Sequence, residues 1–306
     1  MEKFDTSVRL GELTLKNPVM PASGTFGFGC EMAEWYDLNR LGAIALKGTT
    51  KDARFGNPTP RIAECEAGLL NAVGLQNPGV EAVVREELPR LREVYSGPVI
   101  ANVCGFSVEE YVEVARRFDE TDADILEVNV SCPNVKHGGM AFGTSPEAAA
   151  AVAAAVKAAA QKPVYMKLSP NVTDITAIAR ACEKAGADGL TLVNTLLGMR
   201  IDPRTGRPIV STVISGFSGP AIKPVALRMV YEVCGAVKIP VIGVGGVACA
   251  DDALEFLSAG ASAVQVGAQN LVDPFACLRI VEELPEKMKE YGINNLQSII
   301  GRTRNG

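Results

Sequence analysis

The chain has 306 residues, of which 47% are hydrophobic and 21% are charged, and this length and balance suit one domain with a large buried core. Its formal net charge of −5 opposes binding to a phosphate backbone, and no run of Lys or Arg creates a local exception. Nucleic acid is therefore not expected as a partner. The N-terminal segment lacks an apolar signal core, and no stretch approaches the length of a membrane span, so we expect a cytoplasmic protein.

Eight cysteines are scattered along the chain without a CxxC pair, and His137 is the only histidine. This spacing fits neither a zinc site nor an iron–sulfur cluster. We therefore expect no metal on this chain, and we expect most of the thiols to be small core residues.

Short β-rich runs alternate regularly with helical stretches. After a hairpin around Gly11, the pattern predicts eight strands, at residues 18–22, 43–47, 98–103, 125–130, 163–168, 189–193, 240–245 and 263–267. It predicts helices at 79–94, 108–119, 146–161 (with Ser145 as N-cap), 174–185, 220–236, 251–259 and 274–291. Eight β/α units with continuously apolar strands indicate an α/β protein with a closed (β/α)8 barrel of the TIM type. A doubly wound sheet is the alternative.

Two connections are longer than a barrel requires, one at about 48–97 and the other at about 194–219. Each follows the carboxyl end of a predicted strand. Both insertions should therefore emerge at the C-terminal face, where barrel active sites are built.

Polar residues stand at or just after the carboxyl ends of several predicted strands, where a barrel would bring them to one mouth. They are Ser23, Lys47, Asn102, Asn129, Lys167 and Asn194. A single lysine there is as well explained as a surface residue with a buried stem. Two on one rim favour a site for phosphate or for a flavin, whose ring gains negative charge on reduction.

Glycines follow the last two predicted strands, in GVGG (243–246) and VGA (266–268). Loops at these places commonly bind phosphate in barrels, because glycine lets backbone N–H groups approach an anion. The string GVGGVA (243–248) also matches the dinucleotide pattern GxGxxA, but it follows the seventh strand and no acidic residue closes a strand about twenty residues later. We interpret it as a phosphate-binding loop.

Cys132 lies just beyond the fourth predicted strand, in the polar, glycine-bearing stretch 129–143. A cysteine after a strand is more commonly inert packing. The flanking Asn129 and Asn134 and the position at the mouth instead favour an acid/base role, since a thiol titrates near 8.5. We interpret His137, among glycines on the same loop, as a solvated residue.

Ten short motifs occur in the order that is typical of one enzyme family. They are PASGTFGFG (21–29), ALKGTT (45–50), NAVGLQNPG (71–79), ANVCG (101–105), NVSCPN (129–134), MKLSPN (166–171), VNTLLG (193–198), SGPAIKP (218–224), GVGGV (243–247) and VGAQN (266–270). Through them the chain resembles the family 1 dihydroorotate dehydrogenases over nearly its whole length.

The resemblance implies FMN-dependent oxidation of (S)-dihydroorotate to orotate in pyrimidine (UMP) biosynthesis. It implies that Cys132 removes the proton from substrate C5 while a hydride leaves C6 for flavin N5. The substrate contacts that it implies are Lys47, Asn71, Ala72, Val73, Gly74, Leu75, Asn129, Asn194 and Thr195. The implied FMN contacts are Ser23, Lys47, Gly48, Asn102, Asn129, Lys167, Val193, Gly219, Gly245, Gly246, Gly267 and Ala268.

The stretches at 24–31 and 131–143 resemble the NAD-linked type 1B more than the fumarate-linked type 1A. Type 1B implies a partner subunit that carries FAD and a [2Fe–2S] cluster, in an α2β2 heterotetramer. The fumarate-linked type, which needs no partner, is one alternative. The others are a phosphate-binding lyase or aldolase with a Schiff base on Lys167, a tRNA dihydrouridine synthase, and a non-catalytic scaffold.

Overall fold

The computed structural model describes residues 4–131 and 142–304. An antiparallel hairpin, Val8–Leu10 with Leu13–Leu15, comes first and confirms the one predicted around Gly11. The eight predicted strands follow, here called the first to eighth barrel strands. They are Val19–Pro21, Ile44–Ala45, Val99–Val103, Ile125–Asn129, Val164–Lys167, Gly189–Leu192, Val241–Val244 and Ala263–Val266.

The eight barrel strands form one parallel sheet whose spatial order follows the chain order, with the eighth strand beside the first. Gly42 N donates to Val19 O over 2.9 Å, which brings the first strand beside the second and nearly closes the barrel. A doubly wound sheet requires a point at which the strand order reverses, and this sheet has none. The prediction of a barrel is therefore confirmed.

The outer layer consists of helices between the strands. The principal helices are Val80–Ala82, the π-helical turn Val83–Glu87, Leu88–Val94, Val108–Asp119, Pro146–Ala159, Ile175–Lys184, Lys223–Cys234, Ala250–Ala259 and Ala276–Glu290. Shorter turns are Cys30–Ala33, Leu38–Arg40, Pro220–Ile222, Gln269–Val272, Gln297–Ile299 and Arg302–Arg304. Ser145 Oγ accepts from Ala148 N, which confirms the predicted N-cap. In the described part of the chain, no helix combines the length and the apolar character needed to cross a membrane.

The two long insertions pair with each other, which the sequence did not predict. They form a four-stranded antiparallel sheet in the order Leu196–Gly198, Ser215–Ser218, Gly68–Asn71 and Ile62–Cys65. Asn71 lies opposite Gly216 in this sheet, across 145 residues of chain. The sheet thereby carries residues of both insertions to one wall of the barrel mouth.

The barrel interior contains a polar layer, although branched apolar residues normally fill such interiors. Five inward side chains at this level are at most 4% exposed: Asn102, Glu127, Lys167, Thr191 and Gln265. Gln265, on the eighth strand, bonds to Glu127, on the fourth. Because these strands are not neighbours in the sheet, the bond crosses the interior. The layer forms the base on which the mouth of the barrel is built.

Candidate active site

A cavity opens at the carboxyl ends of the barrel strands, and most of the predicted binding residues line it. These are Ser23, Lys47, Gly48, Asn71, Val73, Gly74, Leu75, Asn129, Lys167, Val193, Asn194, Thr195, Gly219, Gly245, Gly246, Gly267 and Ala268. They come from strands around the whole barrel and from both insertions, so the fold brings together residues that are far apart in sequence.

Two of the predicted residues, Ala72 and Asn102, do not line the cavity. Ala72 is fully buried, and its carbonyl accepts from Asn57 Nδ2 over 2.9 Å, so it does not line the cavity. Asn102 is also fully buried beneath the mouth, because the third strand continues to Val103 and leaves the side chain inside the barrel. Cys132, together with Asn134 and His137, lies outside the described residues.

The cavity walls include residues that the sequence did not single out: Ala22, Gly24, Thr25, Ile62, Leu69, Ser218, Ile222, Val244 and Leu271. Gly24 and Thr25 belong to the motif that contains Ser23, so that motif could have indicated them. Ile62, Leu69 and Ser218 reach the cavity through the four-stranded sheet, for which no local signal exists. The walls are therefore largely apolar, with polar groups at a few points.

A hydrogen-bond chain connects the ends of the fourth and sixth strands. Asn194 Nδ2 donates to Ser131 Oγ over 2.8 Å, and Ser131 Oγ donates to Asn129 Oδ1 over 2.9 Å. The Ser131 backbone N–H donates to the same oxygen over 3.1 Å. Because a backbone N–H can only donate, the atom that it meets must be the amide oxygen. Ser131, which the sequence did not single out, therefore occupies the amide oxygen of Asn129, a residue that lines the cavity.

The floor of the cavity carries the ammonium group of Lys167, whose side chain is almost completely buried. Nζ donates to Gln265 Oε1 over 3.2 Å and lies 3.5 Å from Glu127 Oε2. Lys47 is half-buried and lines the same cavity. The site therefore presents two cations at separate points of a cleft whose walls are largely apolar.

The glycine loops after the seventh and eighth strands line the cavity with main chain. Gly246 has φ +80°, and a Cβ there would lie 2.7 Å from Lys223 Cβ, so only glycine fits. At Gly267 the situation is the opposite, because a Cβ would meet only Ala22 Cβ, at 3.9 Å. The space beside Gly267 is open and belongs to the cavity.

Three of the described thiols, those of Cys182, Cys234 and Cys277, are poor candidates for a base. Cys182 and Cys277 are buried and Cys234 is half-buried. Burial raises the pKa of the Cys182 and Cys234 thiols to about 12, and it also raises the pKa of Cys277. At neutral pH these three thiols stay protonated. They do not line the cavity.

The donor set fits a flat group with apolar faces, polar edges and an anionic tail. Apolar side chains such as Leu75, Val193 and Val244 supply the walls, Lys167 supplies charge at the floor, and the glycine loops supply open main chain. The Thr195 hydroxyl is a buried oxygen without a hydrogen-bond partner in the described structure, as expected of a group that awaits a ligand. Fold and site together define a (β/α)8-barrel enzyme with a cofactor cleft at its C-terminal face.

The family model for dihydroorotate dehydrogenase matches residues 6–288, and the chain belongs to this family of oxidoreductases. A relative from Anoxybacillus flavithermus, the catalytic subunit of dihydroorotate dehydrogenase B (NAD(+)), is 57% identical over 300 residues, which cover 98% of this chain and 96% of the relative. The protein of the same name from Geobacillus kaustophilus is 58% identical over 298 residues, covering 97% and 95%.

A solved dihydroorotate dehydrogenase from Eimeria tenella, in complex with ferulenol, superposes with a TM-score of 0.81 and covers 99% of this chain and 89% of its own. Its sequence identity of 23% supports the fold alone. The resemblance inferred from the ten motifs is confirmed by the family match. The match to the dihydroorotate dehydrogenase family model favours this family over the lyase, tRNA dihydrouridine synthase and scaffold alternatives.

Proposed function

We propose that this chain, as a single FMN-binding barrel domain over residues 1–306, oxidises (S)-dihydroorotate to orotate and passes the electrons through a partner subunit to NAD+. One observation carries the proposal: most of the substrate and FMN residues implied by the motifs line a single cavity at the barrel mouth. A set of chance motif matches would have no reason to converge in space.

FMN, one per chain, would lie across the cavity floor, and when bound it supplies at N5 the acceptor for the hydride that leaves substrate C6. The open space beside Gly267 leaves room for its phosphate to reach backbone N–H groups, and Gly245 and Gly246 line the same cavity with main chain. Lys167 would place its charge near the ring edge that gains negative charge. Val193 and Val244 would exclude water from the ring.

The substrate would be held by one cation and several amides. Lys47 would pair with the carboxylate of dihydroorotate. The substrate ring offers imide donors and carbonyl acceptors, which asparagine side chains match because each carries one donor group and one acceptor. Asn129 would donate through Nδ2, because its amide oxygen already accepts from Ser131.

Cys132 would accept the C5 proton. This role rests on the resemblance, and three of the other thiols are unsuited to it because burial raises their pKa values. The relatives' names, with "NAD(+)" and "catalytic subunit", support type 1B over type 1A. We therefore assign FAD and a [2Fe–2S] cluster to a partner subunit, in an α2β2 heterotetramer.

An anaerobic titration tests the proposal. The purified, FMN-supplemented chain should be yellow, dihydroorotate should bleach the flavin spectrum, and orotate should form in equal amount. NADH should form only after an FAD/iron–sulfur subunit is added. Reoxidation by fumarate without a partner would instead establish type 1A. A colourless protein that borohydride links to a substrate at Lys167 would overturn the flavin proposal.

The open space at Gly267 gives a prediction for FMN binding. Gly267→Val should weaken FMN binding by about tenfold to a hundredfold, because placing atoms in an occupied volume costs about 1–3 kcal/mol. Gly267→Ala, whose Cβ makes only an ordinary contact with Ala22, should have a much smaller effect. Fluorescence titration measures both constants. Thermal unfolding of the FMN-free proteins should show equal stability, and equal FMN affinity in the two variants would contradict the assigned position.

The role of Ser131 gives a second prediction. Ser131→Ala should weaken orotate binding by about threefold to tenfold, because an orienting hydrogen bond contributes about 0.5–1.5 kcal/mol. Asn129 then loses one of the two bonds that direct its amide. Spectral titration of the FMN enzyme with orotate measures the effect. Ser262→Ala, just before the eighth strand at the opposite end of the barrel, is the matched control. Equal orotate affinity in the two variants would rule out the orienting role.

A further inference from the structure

Glu127 is a fully buried carboxylate in the barrel interior, directly below the cavity floor. Removing a carboxylate from water is costly unless it is paired and hydrogen-bonded. In the dihydroorotate dehydrogenase assignment above, neither the substrate nor the phosphate of FMN requires a negative charge at this position. The residue therefore calls for an explanation that the proposed function does not provide.

The contacts of Glu127 form a closed network. Asn102 Nδ2 donates to Oε2 over 2.5 Å, and Gln265 Nε2 donates to Oε1 over 2.8 Å. The Lys167 ammonium lies 3.5 Å from Oε2 and donates to Gln265 Oε1 over 3.2 Å. Gln265 thus contacts the carboxylate with its amide nitrogen and the ammonium with its amide oxygen. Asn102, which is among the predicted FMN contacts, uses its amide nitrogen to bind Glu127.

This network has two consequences for Lys167. Its stem enters from the fifth strand, and its ammonium is held from the eighth and fourth strands, so its position is fixed across the barrel. The carboxylate of Glu127 also places a negative charge on the inner side of this ammonium group. At this depth a unit charge acts through a lower effective dielectric than in water, so the pair presents much less positive potential to the cavity than a lone lysine would.

We propose that Glu127 is a positioning residue that fixes Lys167 at the cavity floor and, by its opposite charge, holds down the reduction potential of FMN. The inference rests on the proposed function, because it requires FMN above Lys167. A lone ammonium at the floor would stabilise the negative charge of the reduced ring strongly. The paired ammonium stabilises it less, which keeps the reduced cofactor able to give up its electrons.

The test compares reduction potentials. Glu127→Gln keeps the shape of the side chain and removes its charge, while Gln265 and the open cavity still solvate the ammonium. The ratio of reduced to oxidised FMN at a fixed ambient potential should rise by at least about tenfold, which is about 30 mV for a two-electron couple. Thr191→Val is the matched control, because Thr191 lies beside Lys167 in the sheet and its hydroxyl has no hydrogen-bond partner among the described residues. It should leave the potential unchanged.

A double-variant cycle separates an effect through Lys167 from a merely structural one. In Lys167→Met the network no longer contains an ammonium group for Glu127 to position or to neutralise. Adding Glu127→Gln to that variant should therefore shift the potential by less than a third of its effect in the native chain. An unchanged potential in Glu127→Gln, or an equal shift in both backgrounds, would overturn the inference.

Whether the wild-type protein binds FMN distinguishes a failure of the proposed function from a failure of the role assigned to Glu127. Wild-type protein that does not bind FMN would refute the proposed function itself. Protein that binds FMN and is reduced by dihydroorotate, but shows no shift in Glu127→Gln, would refute only the role of Glu127. If Glu127→Gln does not fold, Glu127→Asp provides the measurement, because the shorter side chain draws the carboxylate away from Nζ. It should raise the potential by a smaller amount, and an unchanged potential would again overturn the inference.

Discussion

Cys132→Ser should slow the reduction of FMN by dihydroorotate by about two to four orders of magnitude, which is the usual contribution of a general base. A hydroxyl group is a far weaker base than a thiol, whose ordinary pKa is near 8.5. In the native enzyme the rate should rise with pH as the thiolate forms, and in the variant this rise should move to higher pH. Anaerobic stopped-flow measurement of flavin bleaching over a pH series records both effects.

Cys234→Ser is the matched control for this experiment. Cys234 ends the outer helix Lys223–Cys234, is half-buried, and has a pKa raised by burial to about 12. Replacing sulfur by oxygen at Cys234 should leave the rate of FMN reduction and its pH profile unchanged. FMN content and orotate affinity should stay native-like in both variants. Flavin reduction at the native rate in Cys132→Ser would show that another group removes the proton.

The barrel was predictable because its strands are buried on both faces and therefore appear in the sequence as short continuous apolar runs. Every run that was identified is a strand. Eight successive β/α units are compatible with only a few sheet topologies, of which the closed barrel is one. The direction of individual side chains was harder to predict than the strands themselves. The third strand was predicted to end at Val103 and does so, but its polar residue, Asn102, points into the barrel and not to the mouth. The depth at which an inward polar side chain lies in the barrel depends on how neighbouring strands are staggered. A local sequence pattern does not contain this information.

The four-stranded sheet could not be predicted for a related reason. Its strands have three or four residues each, and Gly68–Asn71 pairs with Ser215–Ser218 across nearly half of the chain. Such pairing is determined by how the barrel places the two insertions. As a result, the motif containing Asn71 was identified from the sequence, while the apolar wall formed by Ile62 and Leu69 was not.

Glu127 illustrates the same limit within a single strand. It lies in the run ILEVNV (125–130), where four apolar residues suit a buried strand and the one acidic residue gives no indication of its partner. Lys167 drew attention because it stands near a strand end. The link between the two residues, through Gln265 from the opposite side of the barrel, exists only once the barrel has formed. A charged residue in an apolar strand therefore indicates that a buried partner exists, but only the folded structure shows which residue that partner is.

Lys47→Ala should weaken dihydroorotate binding by about tenfold to a hundredfold, because a hydrogen bond to a charged group contributes about 1.5–3 kcal/mol. The rate of flavin reduction should also fall, since a substrate without its carboxylate anchor spends less time aligned for transfer. FMN binding should change less, because Lys167 and the glycine loops remain. Spectral titration with orotate and stopped-flow reduction at saturating dihydroorotate separate affinity from rate.

Lys51→Ala provides the control for charge, because Lys51 is exposed, pairs with Glu113 over 2.9 Å and does not line the cavity. If the overall positive charge near the mouth attracted the anionic substrate, both variants would lose affinity to a similar extent, and added salt would reduce the loss. If Lys47 makes a direct contact within the cleft, only Lys47→Ala loses affinity, and salt has little effect. Weaker retention of FMN with native affinity for orotate would assign Lys47 to the cofactor alone. Because Lys47 lies on the second barrel strand's carboxyl end and Lys167 on the floor, the two cations can serve substrate and cofactor separately.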